Sequence, residues 1–201
     1  MRDIDVRRAL HKKVLREHRD EPDTLVLDEL GLCNGDARVD VAVINGEIRG
    51  YEIKSEKDTL VRLPHQVEVY NSTLDRVVLV VFEGHLEKAL PVIPTWWGVK
   101  TVRSGPRGAI HFEEIRRPLP NPAIDIRSLV TLLWKDEVLS ELERMGQIRG
   151  LRNKPKRALY DRLADALSVD EIRCLVRRRL KERERWRRPT VPFRQSDAPQ
   201  M

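Results

Sequence analysis

The apolar residues of the chain first recur with a helical period and then alternate. Val6, Leu10 and Val14 are four residues apart, which predicts an amphipathic helix over residues 3–18. Short runs rich in β-branched residues follow, as in strands with one buried face. The chain is therefore predicted to open with a helix and a three-stranded meander, whose strands cover residues 24–32, 38–44 and 48–55.

The next elements follow from turn residues and from longer apolar runs. Asn45-Gly46, between the second and third strands, is the strongest short-range signal for a β-hairpin. A helix is predicted over residues 63–74, with Pro64 in its first turn. Residues 76–82 are almost wholly apolar, as in a strand that is buried on both faces of a sheet. Three shorter elements complete this α/β pattern, a helix over residues 84–90 and strands over residues 98–102 and 109–115.

Three prolines at alternate positions mark a change in the pattern. They form a stiff linker, residues 118–124, after a first domain of residues 1–117. Beyond the linker the pattern is helical throughout, with predicted helices over residues 126–134, 136–145 and 158–167 and a last one that starts at the capping box Ser168-Val-Asp-Glu171 and ends before Pro189. We therefore predict an all-helical extension over residues 125–189, followed by a disordered tail, residues 190–201.

The net charge of +6 is unevenly distributed. Residues 1–120 carry 19 Lys and Arg against 20 Asp and Glu, whereas the remaining residues carry 19 against 12. This asymmetry predicts that the extension binds a polyanion, although a solvated basic helix would have the same composition. The candidate nucleic-acid contacts in the extension are Lys154, Lys156, Arg157, Arg177 and Arg178.

Composition excludes several other classes of protein. Cys33 and Cys174 are far apart in the chain and have no CxxC partner, which indicates reduced thiols. The longest apolar run, residues 77–82, is too short to span a bilayer, and the first residues have no apolar signal core. The sequence has no zinc spacing, P-loop, dinucleotide fingerprint or nucleophile elbow. We therefore expect a cytoplasmic protein that does not bind membranes.

The predicted hairpin carries the residues with the clearest chemical meaning, Asp40, Glu52 and Lys54. Glu52 and Lys54 are two residues apart on a strand, so their side chains point to the same side. Carboxylate oxygens hold Mg²⁺ or Mn²⁺, which supplies a Lewis acid and a hydroxide for phosphodiester hydrolysis. A lysine beside them can orient the water and stabilise charge on the phosphate, and the Ile53 carbonyl is a candidate further ligand.

The register of this hairpin decides whether the acids meet. With a two-residue turn at Asn45-Gly46, Asp40 would lie opposite Tyr51 and would point away from Glu52. The two carboxylates converge only if a longer loop, or a bulge at Gly50, inserts one residue. We therefore predict a three-residue loop or a distortion near Gly50.

Polar residues that flank the hairpin extend this candidate site. Arg62, Gln66 and Tyr70 recur at every fourth position on the helix that follows, so they form one stripe that faces either the site or the solvent. Arg38 is two residues before Asp40 and can either contact a phosphate or neutralise the acids.

Asp40, Glu52-Ile-Lys54 and Gln66-x3-Tyr70 together resemble the PD-(D/E)XK nuclease superfamily. The Gln-x3-Tyr element is typical of the RecB-like branch of this superfamily. Within the superfamily, the chain most resembles small bacterial proteins, and the resemblance covers roughly the first 115 residues. It implies a restriction-endonuclease-like core of a helix, a three-stranded meander, a helix and a strand. Val39 stands in place of the proline in the superfamily's name.

The resemblance also implies roles for individual residues. The superfamily's acids bind Mg²⁺, its lysine is catalytic, and its Gln and Tyr support the site. A further acid usually lies upstream, and Glu29 is the candidate, with Glu17 and Asp28 as rivals. The predicted catalytic set is Asp40, Glu52, Lys54, Gln66 and Tyr70, and the predicted metal ligands are Glu29, Asp40, Glu52 and Ile53.

The resulting hypothesis is a metal-dependent nuclease that hydrolyses DNA, with RNA as the alternative substrate, in repair, recombination or defence. A rival hypothesis is a non-catalytic protein that keeps the fold for nucleic-acid binding or complex assembly. A subunit that is active only in a homodimer or in a larger repair or defence complex is the third.

Overall fold

The structure, a computed structural model, describes residues 1–16, 18 and 21–183. Its centre is a mixed six-stranded sheet in which the strands lie in chain order. The first three strands are antiparallel, the third, fourth and fifth are parallel, and the sixth is antiparallel to the fifth. The predicted α/β class is confirmed. The strands are β1 (Leu25–Leu32), β2 (Ala37–Ile44), β3 (Ile48–Lys54), β4 (Arg76–Phe82), β5 (Gly98–Ser104) and β6 (Ile110–Arg116).

Seven α-helices are described in residues 1–16, 18 and 21–183, and the order helix, three strands, helix, strand over residues 3–82 is the predicted one. The first helix ends earlier than predicted, because the chain leaves the helix at Val14 and buries Leu15 in the core. Residue 17 of that prediction lies outside the described residues. The helices are α1 (Asp3–Lys13), α2 (Leu63–Thr73), α3 (Leu86–Ala89), α4 (Ile126–Leu129), α5 (Lys135–Arg144), α6 (Lys156–Ala166) and α7 (Val169–Glu182).

Three other predicted helices are corrected. The helix predicted over residues 126–134 is shorter, since α4 passes into a 3-10 turn at Val130–Leu132 and the chain is extended at Leu133. The helix predicted over residues 84–90 begins as a 3-10 turn at Glu83–His85. The predicted cap of α7 is confirmed, as the Ser168 hydroxyl and the Glu171 carboxylate form the capping box. This helix ends at Glu182, earlier than predicted, because the backbone is extended at Arg183. The predicted tail, residues 190–201, lies outside the described residues.

Both faces of the sheet are covered by helices. Helix α1 packs on one face, where Val6 and Leu10 meet Val78 and Val80 of β4. The alternate residues of β4 point to the other face, where α2 and the C-terminal helices pack. The prediction that β4 is buried on both faces is therefore confirmed.

The helical extension continues the core of the sheet. Buried residues of α4 to α7 belong to the same hydrophobic cluster as those of β1, β2, β4 and α2. The proline-rich segment is held against the end of helix α2, because the buried Asn121 side chain donates to the carbonyls of Asn71 and Leu74. The division into two domains remains a prediction. Within the described part of the chain, no helix is both long and apolar enough to cross a membrane.

Gly50 has a packing role in the sheet. It pairs regularly with Ala42, so the predicted alternative of a bulge at this position is wrong. A Cβ atom on Gly50 would lie 2.6 Å from Cδ1 of Leu74, which is fully buried after the end of α2. The missing side chain lets this helix approach the strand closely.

Candidate active site

The loop of the β2–β3 hairpin has three residues, Asn45–Glu47. Ile44 pairs with Ile48, and the register continues to Val41 opposite Tyr51. The predicted extra residue is therefore present in the loop. In this register the next positions, Asp40 and Glu52, lie across from each other, which is the condition for the two acids to meet.

Asp40 lies where the β2–β3 ladder ends. Its Oδ2 atom accepts the backbone N–H of Ile53 at 2.6 Å, so the side chain replaces a strand carbonyl as the partner. This bond holds the carboxylate at the end of the β2–β3 ladder, across from Glu52 on the neighbouring strand. Val39 and Val41 pack on opposite faces of the sheet, so the alternation of β2 is interrupted at Asp40.

Glu29 marks the matching irregularity on β1. Asp28 pairs with Val41 and Leu30 pairs with Val39 of β2. Glu29 therefore lies opposite Asp40, between these two pairs. Its φ of 59° is left-handed, which costs a residue with a Cβ about 1–2 kcal/mol. Glu29 lines the same cavity as Asp40, as predicted for the third acid.

The rival acids are placed differently. Asp28 contacts His11 at 2.6 Å and is not among the residues that line the cavity, whereas Glu17 lies outside the described residues. Of the two described candidates, Glu29 is therefore the acid that lines the cavity together with Asp40 and Glu52.

The cavity at the end of the hairpin has a volume of about 490 Å³. It is open to solvent on one side, where Arg38 and Arg62 are exposed. Most of the predicted site is gathered in it. The predicted residues that line it are Glu29, Arg38, Asp40, Glu52, Ile53, Lys54, Arg62 and Gln66.

Glu52 is the buried centre of the site. Its side chain is 2% exposed and accepts three hydrogen bonds, from Lys54 Nζ at 2.7 Å, Gln66 Nε2 at 2.6 Å and the Tyr70 hydroxyl at 2.6 Å. These donors offset the cost of burying the charge. Three of about four lone-pair positions are thereby used, and Oε2, which bonds only Tyr70 among the described residues, keeps room for another partner.

Gln66 and Tyr70 of the predicted stripe are buried against the site, whereas Arg62, just before α2, lines the cavity but is exposed. The Gln66 amide oxygen accepts a hydrogen bond from Lys54 Nζ at 2.8 Å, while its Nε2 donates to Glu52. The amide therefore links the lysine to the acid. Tyr70 is fully buried, and its ring stacks on Trp97 with centroids 5.9 Å apart. Burial and the charge of Glu52 raise the pKa of Tyr70, so its hydroxyl stays a donor.

A guanidinium group holds the other two acids. Arg7 lies 3.0 Å from Asp40 Oδ1 and 3.2 Å from Asp3 Oδ2, and it also contacts Glu29. Burial raises the pKa of Asp40 to about 8, and the nearby charge of Glu52 adds to this, against the effects of Ile53 N–H and Arg7. Arg7 and Asp3 were not predicted as site residues. Their four-residue spacing on α1 is the sequence feature that indicates that the two side chains pair with each other.

The donor set fits a hard divalent cation through two carboxylates. Asp40 and Glu52 offer oxygen ligands, and Mg²⁺ is commonly bound by one or two carboxylates, with water and substrate phosphate completing its shell. Among the described residues, no group of three or more His, Cys, Asp or Glu is arranged to hold a metal ion. The fit therefore rests on the pair Asp40 and Glu52. In this structure, Arg7 is the positively charged group beside Asp40.

The predicted basic residues of the extension are divided among several surfaces. Lys154 is exposed before α6, and Lys156 donates to Asn34 Oδ1 at 3.2 Å, in the turn before β2. Arg157 lies 4.0 Å from Asp161, and Arg178 lies 3.3 Å from Glu141. Arg177 lines another cavity, together with Glu47 and Asp75. Lys156 is thus the one of these five that contacts the turn between β1 and β2, whose residues Gly35 and Asp36 line the site cavity.

The fold and the site define an α/β protein with a mixed six-stranded sheet and a buried Glu–Lys pair beside a second acid. The chain belongs to the family Bacteriophage P4 protein cII, whose sequence profile matches residues 5–190. It is 26% identical over 161 residues to protein cII of Enterobacteria phage P4, an alignment that covers 80% of this chain and 60% of that protein. The chain thus spans about 60% of the length of this curated relative.

A solved structure is also similar to the chain. It is a protein of unknown function from Silicibacter pomeroyi, with 18% sequence identity and a TM-score of 0.38. The similarity covers 70% of this chain and 87% of the other.

Proposed function

We propose that the protein is a metal-dependent nuclease that hydrolyses phosphodiester bonds, with DNA as its substrate. The observation that carries this proposal is the buried pair of Glu52 and Lys54 beside Asp40, all three of which line an open cavity. Removing such charges from water costs several kcal/mol each, and a core of apolar residues would be at least as stable. A charged cluster with a shifted Asp40 pKa in a cavity is typical of a functional site.

Each side chain has a role in this proposal. Asp40 and Glu52 would hold Mg²⁺ or Mn²⁺, which would supply a Lewis acid for the phosphate and acidify water. The Ile53 carbonyl and Glu29, which Arg7 contacts, stay predictions as further ligands. Lys54 has three N–H donors, of which Glu52 and Gln66 take two, so the third can reach a phosphate oxygen or a water. Gln66 and Tyr70 fix the orientation of Glu52.

We extend this proposal to the fold. Helix α1, strands β1 to β3, helix α2 and strand β4 would form the restriction-endonuclease-like core of the PD-(D/E)XK superfamily. The order of these elements supports the assignment, as do the opposing positions of Asp40 and Glu52 and the contacts of Gln66 and Tyr70 with Glu52.

A second candidate function is nucleic-acid binding or complex assembly without catalysis. It is favoured by the contact of Arg7 with Asp40 and Glu29, because a protein cation then takes the place of a metal ion. The two candidates differ in whether a divalent ion binds to the acids, so metal binding and cleavage separate them.

Cleavage assays test the proposal directly. The full chain is incubated with Mg²⁺ or Mn²⁺ and with linear, circular, single-stranded and branched DNA, and with RNA. We expect cleavage that Glu52→Gln and Lys54→Met abolish, while the control Lys57→Ala, at an exposed position just after β3, keeps it. Binding of DNA by the wild type with no cleavage of any substrate would favour the second candidate. Undiminished cleavage by Lys54→Met would overturn the assigned role of the lysine.

A further inference from the structure

A second cavity adjoins the site. Its volume is about 390 Å³, and it shares Gly35 with the first cavity as a lining residue. Gly35 has a φ of +95°, and a Cβ there would meet no described atom within 4 Å. The two cavities thus meet at Gly35, a crossing with open space where a side chain would stand.

The charge of the lining changes sign across this crossing. The first cavity contains the site acids with Arg7, and it suits a cation together with a phosphate. Among the described residues that line the second cavity there is no carboxylate, and its two charged residues are Lys156 and Arg183. Arg183 is paired with Glu137 at 2.7 Å, whereas Lys156 is exposed and contacts the Asn34 side chain. The second cavity therefore offers an ammonium group to an anion.

An aromatic ring lines the same cavity. Trp134 lies at the start of α5, and the Arg183 guanidinium lies 4.0 Å from the centroid of its ring. This stacking orders the indole, and Arg183 is itself held by Glu137 and by the Leu132 carbonyl. An ordered aromatic side chain next to a lysine is the combination by which proteins hold one strand of nucleic acid, the ring for a base and the cation for the backbone.

We propose that the two cavities form one groove for a single strand of nucleic acid that leads away from the site across Gly35. This inference rests on the proposed nuclease function and deepens it. The scissile phosphate lies at Asp40 and Glu52, the strand passes the exposed Arg38 and Arg62, and Lys156 binds a phosphate beyond the crossing. Trp134 contacts a base. Lys156, one of the basic residues of the helical extension, thereby belongs to the substrate path.

Binding measurements on matched variants test the groove. The probe is a fluorescein-labelled single-stranded oligodeoxynucleotide of about 20 nucleotides with phosphorothioate linkages, so that binding is measured without cleavage, in Mg²⁺. Lys156→Ala is compared with Lys156→Arg and with Arg162→Ala. Arg162 is exposed on the same helix, six residues and about 240° further round, and it is not among the described residues that line either cavity.

One lost phosphate contact on a single strand lowers the salt slope by about 0.7, which corresponds to about fivefold weaker binding at 0.1 M salt. We expect this loss for Lys156→Ala, near wild-type binding for Lys156→Arg, and a change of less than about twofold for Arg162→Ala, since distant charges are screened. Equal losses for Lys156→Ala and Arg162→Ala would overturn the groove. No loss for either would do so too, as would an effect seen only with a duplex probe.

Cleavage, assayed separately, keeps this proposal distinct from the one on which it rests. If the wild type binds the single strand through Lys156 but cuts nothing with any metal ion, the groove stands and the nuclease function fails. If the wild type cuts and Lys156→Ala neither weakens binding nor slows cleavage, the groove alone is refuted. Circular dichroism melting of each variant verifies that a loss of binding does not come from unfolding.

Discussion

Tyr70→Phe tests whether Glu52 is a buried charge held by hydrogen bonds. The substitution removes one oxygen atom and leaves the ring stacked on Trp97. The hydroxyl lies 2.6 Å from Glu52 Oε2 and 2.8 Å from the Arg38 carbonyl, so its single proton is shared between a charged and a neutral acceptor. In the variant, the donors that Glu52 keeps among the described residues are Lys54 and Gln66.

The expected loss can be compared with that of a neutral bond in the same protein. A hydrogen bond to a charged group contributes about 1.5–3 kcal/mol and a neutral one about 0.5–1.5 kcal/mol. Tyr160 is also buried, and it donates to the neutral Leu133 carbonyl at 2.7 Å. We therefore expect Tyr70→Phe to lower the free energy of unfolding by about 2 kcal/mol and Tyr160→Phe to lower it by about 1 kcal/mol.

Urea denaturation at pH 7 measures both values. In a chain of this size, about 2 kcal/mol corresponds to a fall in Tm of about 4–8 °C. Repeating Tyr70→Phe in a Glu52→Gln background should reduce its cost to that of a neutral bond, because the charged acceptor is gone. Equal costs for the two Tyr→Phe variants, with no change in the Glu52→Gln background, would refute a charged Glu52 held by Tyr70.

Three further predictions concern the acids and the sheet. Above pH 8, where Asp40 is ionised, Arg7→Ala should tighten Mg²⁺ binding about tenfold in calorimetry, as one ion pair of about 1.4 kcal/mol no longer competes with the metal, and unchanged or weaker binding would contradict this. Gly50→Ala should cost about 1–3 kcal/mol in urea denaturation because its Cβ meets Leu74, whereas Gly46→Ala, with no described atom within 4 Å, should be near neutral. Because the pKa of Asp40 is raised in the folded state from 3.8 to about 8, the native protein keeps a proton that the unfolded chain releases, and stability falls as pH rises through that window. Without metal, the free energy of unfolding of Asp40→Asn should therefore rise by about 2–4 kcal/mol relative to that of the wild type between pH 5 and pH 8. Parallel pH profiles of the two proteins would disprove the raised pKa of Asp40.

The parts of the fold that follow from local patterns were predictable from the sequence. The apolar run of β4, Pro64 in the first turn of α2 and the capping box at Ser168 each carry their own signal, and the structure has all three. The loop length of the hairpin was predictable in a different way. Period-two alternation and the chemistry of two acids together required one extra residue, and the loop contains it.

The rest of the site depends on irregularities that have no local signal. Glu29 has a left-handed backbone that its residue type does not favour, and the side-chain alternation of β2 is interrupted at Asp40. Both come from the pairing of β1 with β2, which sequence periodicity does not encode. Arg7 was missed for a related reason, because its partner acids Glu29 and Asp40 lie on strands far away in the chain.

The two central acids are held in different ways, and this difference bears on how the site would accept a cation. Glu52 is fixed by Lys54, Gln66 and Tyr70, whose own positions are set by the core. Asp40 is held by a backbone N–H and by Arg7, a side chain on a helix near the chain's start. Arg7 lines the cavity and its side chain is 14% exposed, against 4% for Lys54, so it can leave Asp40 at lower cost than the buried donors can leave Glu52. We therefore expect a cation to enter on the Asp40 side, with Glu52 as the rigid ligand.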